Sequence, residues 1–313
     1  MDNSEKINIS EIADYVSQAL KEHVIFHDKS EADALTAWIV LTYFIEQMDI
    51  FPFVLITSPE PQCGKSTALR MLSAFVKNPQ SASRITPAAI HRVIERDQPT
   101  LLLDEADRFV LNNQELIGIL NAGHARFDAH VIINQKQNDG NWEPAEFSVW
   151  CAKAIAGIEV KDDTITSRSL VIRLRRKLIS EPITRYTYKY PLMQQSIREQ
   201  IEAWAANIQL SNMVEELEKE IILKDVTEGL TISQSEKVRS LSEGLEYTNQ
   251  EDMMNKITLI KDNYFPSDTI VESVVLSESA TTTSVEDSPV VQEENKTQSI
   301  MDVYARALSK PKD

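Results

Sequence analysis

Two short runs of this chain carry residue types that suit phosphate chemistry. The first is Gly64-Lys65-Ser66-Thr67, closing the longer stretch Thr57-Ser58-Pro59-Glu60-Pro61-Gln62-Cys63. Backbone N–H groups at the start of a helix point at an anion, and the helix dipole favours negative charge there. Lys65 would reach the β- and γ-phosphates of a nucleotide, and the Ser66 hydroxyl would ligate Mg²⁺. Thr67 stands one position too far along to be the metal ligand. The expected cofactor is therefore ATP (or GTP) with Mg²⁺, held by Pro61, Gln62, Cys63, Gly64, Lys65, Ser66 and Thr67. The position five before Gly64, usually glycine in such loops, is Pro59. Pro59 and Pro61 lack an N–H, which removes donors from the cradle while their fixed φ stiffens it. The second run is Asp104-Glu105, two carboxylates that end the apolar stretch Leu101-Leu102-Leu103. An exposed acidic strand end is frequent in any α/β protein, so it is the order of the two runs that carries the reading.

Both runs need elements to position them. Phe53-Val54-Leu55-Ile56 is a buried strand that feeds the loop, and Ala68-Leu69-Arg70-Met71-Leu72 leaves it as a helix, the context that makes a phosphate-binding loop credible. Upstream, Ile9, Ile12, Val16, Leu20 and Val24 predict a helix capped by Ser10, and Asp28 to Gln47 predicts a second, with Trp38 in its core. Downstream, a short strand is expected at Ser83 to Thr86 and a helix opening at Pro87. A further helix runs from Asn112 to Asn121 and stops at Gly123. His130 to Lys136 and Trp142 to Phe147 flank Asp139-Gly140 and predict a hairpin. Val149 to Ile158 reads as a strand, Asp162 to Arg168 as a polar loop, and Leu170, Ile172 and Leu174 as one apolar strand face. Arg173, Arg175, Arg176 and Lys177 form the one dense basic cluster of the sequence, a solvated strand end or a phosphate contact. Strands alternating with helices predict an α/β fold with a parallel sheet. From Pro191 the pattern is helical, with separate helices over Met193 to Ile208, Asn212 to Leu223, Val238 to Leu245 and Asp252 to Ile260. Ser267 to Ser299 has the composition of a disordered segment, after which Ile300, Val303, Tyr304 and Leu308 recover helical spacing, as a docking segment would.

Composition narrows the classes. Of 313 residues, 42% are hydrophobic, enough for a core, and 32 basic against 48 acidic residues give a net charge of −16. That balance argues against a protein that simply coats nucleic acid. Two cysteines, Cys63 and Cys151, provide no disulfide framework, which fits a reducing cytoplasm. The longest apolar run, Ala34 to Ile45, is too short to span a bilayer, and no membrane association is expected.

The order of phosphate loop, Leu101-Leu102-Leu103-Asp104-Glu105-Ala106-Asp107, hairpin, strand and Ser167-Arg168-Ser169 resembles an AAA+ ATPase. It is more closely similar to an uncharacterised bacterial and phage domain family often joined to primase or toprim modules in mobile elements. The residues that carry the likeness also include Ser58-Pro59, Ile119 to His124, Lys153 to Gly157 and Arg168 to Lys177, within residues 24–210. The resemblance implies a P-loop NTPase fold with a helical lid, ATP hydrolysis and a homo-oligomeric ring or partial ring. In that family type Asp104 would hold Mg²⁺ through water and Glu105 would orient or deprotonate the attacking water. Lys65 would serve catalysis as well as binding, and Arg168 would act across a subunit interface. The hairpin looks like the DNA-gripping element of ring helicases, which singles out Lys136 for nucleic acid. Four regions are expected: a helical cap over 1–50, an ATPase core over 51–178, a lid-like helical region over 179–264 and an acidic tail over 265–313. The resulting expectation is a motor acting on nucleic acid in mobile-element replication or phage defence. The second reading is an ATP-dependent switch or scaffold, assembled with a partner protein held by the tail, that moves no DNA.

Overall fold

Phe53, Val54, Leu55 and Ile56 are buried one after another, and a strand without an outward face belongs inside a parallel sheet. The computed structural model describes residues 8–110, 113–136, 141–158 and 162–265. In chain order it contains α1 (Ile9–His23), α2 (Ser30–Leu41), β1 (Phe53–Ser58), α3 (Lys65–Phe75), β2 (Pro79–Ala82), α4 (Pro87–Asp97) and β3 (Thr100–Leu103). There follow α5 (Ala106–Phe109), α6 (Gln114–Ala122), β4 (His130–Lys136), β5 (Trp142–Ser148), β6 (Lys153–Ile158), α7 (Asp163–Ser167) and β7 (Ser169–Arg173). Three helices end the described chain: α8 (Tyr190–Val226), α9 (Ile232–Ser242) and α10 (Gln250–Tyr264). The contacts divide the chain into two units, Met1–Lys261 and Asp262–Asp313.

Five strands form one sheet in the order β2-β3-β6-β1-β7. Every pairing in it is parallel, and Leu55 sits between Ile155 on one side and Val171 on the other. The protein is thus α/β with a mostly parallel sheet, as the alternation of strands and helices predicts. β4 and β5 pair antiparallel as a separate hairpin, Lys136 opposite Trp142. The tip residues 137–140 lie outside the described residues.

Several boundaries differ from the sequence pattern, each for a local reason. Asn8, not Ser10, caps α1: its side-chain oxygen accepts from the Ser10 N–H and its amide donates to Glu11. The second helix ends at Leu41 and tightens into a 3-10 turn, Thr42–Gln47, where the Thr42 hydroxyl bonds back to the Ile39 carbonyl. Trp38 is in the core as expected, its ring N–H donating to the Pro52 carbonyl at 2.9 Å. The strand expected at Ser83 to Thr86 forms earlier, at Pro79–Ala82. It is an edge strand, and proline at its first position costs no ladder bond. Asp162 to Arg168 is no plain loop, because Asp162 caps one helical turn by accepting from the Ile165 N–H. The two helices expected over 193–223 are one helix of 37 residues, since no proline or glycine interrupts Ile208 to Asn212. The tail from 266 onward, with Ile300, Tyr304 and Leu308, lies outside the described residues.

One buried charge ties these pieces together. Lys153 is fully buried at the start of β6. Its Nζ donates to the carbonyls of Gly123, Val149 and Cys151 at 2.9, 3.1 and 2.9 Å, and lies 5.4 Å from the Phe53 ring centre. Burial pushes the Lys153 pKa down, while three acceptors demand the three donors that only the ammonium form supplies. Gly123 is required beside it: a Cβ there would stand 2.1 Å from the Val149 oxygen and 2.4 Å from Nζ. Lys153→Met should leave three buried carbonyls unpaired and cost about 2–4 kcal/mol. A thermal melt should show a fall of about 5–10 °C, and Gly123→Ala should destabilise comparably. Unchanged melting in both variants would show that the network carries no stability.

Candidate functional site

β1 ends at Ser58 and α3 begins at Lys65, so the segment between them is the turn that sets the loop shape. Gly64 stands before the first helical residue with φ 92° and ψ 7°, a left-handed conformation that favours glycine. Gln62 is also left-handed, at φ 64°. These two residues bend the chain so that the first turn of α3 faces a cavity of about 410 Å³. Its wall includes Pro61, Gln62, Gly64, Lys65, Ser66 and Thr67 from the loop, and Asp104 and Glu105 from the end of β3. The two runs singled out in the sequence are therefore brought to one place. Cys63 is not on this wall: its side chain is buried, and its sulfur contacts the Pro61 carbonyl at 3.7 Å.

The polar geometry is specific. Lys65 Nζ donates to Ser58 Oγ at 2.6 Å and reaches the Glu60 carbonyl at 3.4 Å, so the ammonium lies back over the loop it belongs to. Asp104 Oδ1 accepts from the Glu105 N–H at 2.9 Å. Glu105 is left-handed at φ 54°, an uncommon state for a residue with a Cβ. Its carboxylate pairs with Arg108 at 3.2 Å in an exposed contact, worth at most about 1 kcal/mol. Its direction is set by the backbone more than by that pair. Asp107 accepts from the Ile158 N–H at 3.2 Å, which fastens the end of β6 to α5. Asp107, Arg108 and Ile158 all line the cavity and carry no separate signal in the sequence beyond following Asp104-Glu105 or closing a strand.

Chemically, this site can take an anion at the start of α3, with a lysine beside it and two carboxylates opposite. Among the described residues, no group of three or more His, Cys, Asp or Glu side chains is placed to hold a metal. A magnesium ion here would use Ser66 and Asp104 and take its remaining ligands from phosphate oxygens and water.

Two other expected residues lie elsewhere. Arg168 Nη1 donates to Asn121 Oδ1 at 2.9 Å, and Asn121 donates in turn to the Thr164 hydroxyl at 2.8 Å. The guanidinium is thus bonded to α6 of its own chain, and Asn121 carries the link on to α7. Lys136 is exposed at the end of β4. Neither residue lines the cavity.

A family model for T4-phage-like capsid assembly scaffolding proteins matches residues 188–308. The match takes in α8, α9 and α10, covers less than half of the chain and includes no residue of the cavity. No curated protein matches the chain. This finding overturns the resemblance to AAA+ ATPases and to the primase-associated family. It also overturns the expected enzyme, a P-loop ATPase and hydrolase working as a nucleic-acid motor in mobile-element replication or phage defence. The matched description names a capsid assembly scaffolding protein. Within the matched residues, the two helices expected over 193–223 are the single long helix α8. The second reading, a scaffold that assembles with a partner protein and moves no DNA, fits the finding. No described helix is long and apolar enough to cross a membrane.

Arg168→Ala should therefore act on stability. Losing one half-buried hydrogen bond to Asn121 should cost about 1 kcal/mol and lower the melting temperature by about 2–4 °C, equally at low and high protein concentration. A melting temperature identical to that of the unmodified chain would sink this structural assignment.

Proposed function

We propose that the chain is a capsid-assembly scaffold whose α/β domain acts as a nucleotide-responsive switch. The continuity of α8 carries the proposal. Its first half packs against the rest of the domain: Ile201 and Ala205 are buried, Trp204 meets Phe44 edge to face, and Gln209 donates to the Tyr43 carbonyl at 3.0 Å. Tyr43 in turn donates to the Phe75 carbonyl at the end of α3, the helix that opens at Lys65. The second half of α8 turns an apolar stripe to water, with Leu210, Met213, Leu217 and Ile221 more than half exposed. Leu217 and Ile221 also line a groove of about 790 Å³ between α8 and α9, with Leu230 and Ile232 across from them. A contiguous exposed apolar face of this kind marks a protein-docking surface, and it falls inside the residues that match the scaffolding family. The larger hollow serves the partner and the smaller, charged one serves the nucleotide.

The ligand of the smaller cavity is a nucleoside triphosphate with Mg²⁺. Its phosphates would sit on the N–H groups of Lys65, Ser66 and Thr67 with the Lys65 ammonium turned toward them, and Ser66 and Asp104 would hold the metal. Bound Mg²⁺ would neutralise phosphate charge beside Asp104 and Glu105. The strand order and the loop between β1 and α3 support the finer reading of the fold as a phosphate-loop nucleotide-binding domain. Occupancy, not turnover, is the signal: a phosphate chain that draws Lys65 off Ser58 changes the start of α3, and α8 is packed on α3.

The test uses the full chain and a shell protein of T4-phage-like capsids. Mixing the two with Mg-ATP should give shells visible by electron microscopy. Leu217→Glu with Ile221→Glu should abolish them while leaving fluorescent-nucleotide binding intact. Lys65→Ala should weaken nucleotide binding by at least about tenfold, a loss of about 1.4 kcal/mol, and make assembly indifferent to ATP. Shell formation unaffected by the stripe substitutions would refute the scaffold role. Nucleotide binding unaffected by Lys65→Ala would refute the switch.

A further inference from the structure

On the far side of the phosphate loop lies a second cavity of about 460 Å³. It shares Gln62, Gly64 and Thr67 with the first, so a ligand whose phosphates occupy the first would place its nucleoside in the second. The walls suit a base and a sugar: Val24, Ile25, Ile183 and Tyr186 are apolar or aromatic. They are also held in place. The Thr184 N–H donates to the Glu22 carbonyl at 3.1 Å, and His23 Nδ1 donates to the Thr184 carbonyl at 2.7 Å. The His23 ring packs edge to face on Tyr186 and Tyr190. The volume lies in the range of small-ligand pockets.

The charge around this cavity is what a plain nucleoside does not explain. Arg70, Arg175, Lys177 and Arg185 line it, and no Asp or Glu does. Arg175 is neutralised by Glu181 in a two-point pair at 2.9 and 2.5 Å. Arg70, Lys177 and Arg185 form no ion pair among the described residues. Three solvent-exposed cations without an ion pair among the described residues line one pocket in a chain of net charge −16. Converging like charges repel, and the arrangement is relieved by an anion placed between them. The pocket is concave and of nucleoside size, which favours a small ligand over a nucleic-acid strand.

We infer that the preferred ligand is a nucleotide that carries phosphate on its ribose as well as on its 5′ oxygen. The 5′ chain lies on the loop at Lys65, and the ribose phosphate lies among Arg70, Lys177 and Arg185. This rests on the nucleotide reading of the first cavity and adds the ligand class that its neighbour selects. The nucleotide signal then reports a doubly phosphorylated nucleotide, a different chemical message from the general triphosphate pool.

Binding to the full chain, measured by competition against a fluorescent triphosphate, tests the inference in both purine series. ATP is compared with adenosine 3′-diphosphate 5′-triphosphate, and GTP with guanosine 3′-diphosphate 5′-triphosphate. In at least one series the 3′-phosphorylated form should bind at least about tenfold more tightly, as expected for a charge-assisted contact. In Arg70→Gln with Arg185→Gln that ratio should fall toward one, with the melting temperature checked to confirm an intact fold. Equal affinity of the plain and 3′-phosphorylated forms in both series would overturn the inference and leave the nucleotide switch standing. A ratio that survives the double substitution would also overturn it. Failure of every nucleotide to bind would remove both readings together.

Discussion

An ammonium group sealed from water must find three acceptors, and the way Lys153 finds them organises this domain. The Gly123 carbonyl ends α6, the Val149 carbonyl follows the hairpin, and the Cys151 carbonyl precedes β6. One side chain thereby fixes where three segments meet, directly beneath Phe53 at the start of β1. With its beginning anchored there, β6 pairs with both β1 and β3, and its far end meets Asp107 beside the candidate site. The cavity wall thus inherits its position from a charge at the opposite end of the same strand. Replacing such a buried cation by a hydrophobic side chain strands its partners, so the constraint is on three loops at once.

The second organising feature is a helix too long for the domain that starts it. Its first half belongs to the core through Ile201 and Ala205, and its second half offers an apolar stripe. Packing of α8 on α3, the helix that opens at the loop, is a physical route by which a small change at that loop reaches the exposed stripe. That route needs no reaction in the cavity, so the scaffold and switch roles proposed above are compatible in one chain.

Much of the architecture was legible from residue pattern. Consecutive burial at Phe53 to Ile56 requires an interior parallel strand, and Gly64-Lys65-Ser66 after such a strand fixes where the loop and α3 begin. Asp104-Glu105 reaches the same cavity because β3 lies two strands from β1. What was not legible depended on distance. The Lys153 network joins residues about thirty positions apart, and no period in the sequence announces it. In sequence, Arg168 is expected to act across a subunit interface, and the partner it finds in its own chain, Asn121 on α6, is 47 positions away and unmarked by any pattern. The basic rim of the second cavity draws on α3, on the segment after β7 and on residues before α8, so only part of it shows as a cluster. The motifs that resemble a motor all lie before residue 188, and the family match over 188–308 points to assembly instead.

Both edges of the five-stranded sheet are short or covered. On one side β2 is four residues long and opens with Pro79, and on the other the chain around Phe26 covers the end of β7, with His27 donating to the Arg173 carbonyl at 2.8 Å and a bridge to Leu174. Short, proline-led or covered edges resist strand-to-strand addition. That closure disfavours edge-to-edge polymerisation of the five-stranded sheet into fibres wherever copies crowd together. Contact between copies is then left to side-chain faces such as the exposed stripe of α8, and such contacts come apart without any strand being unzipped.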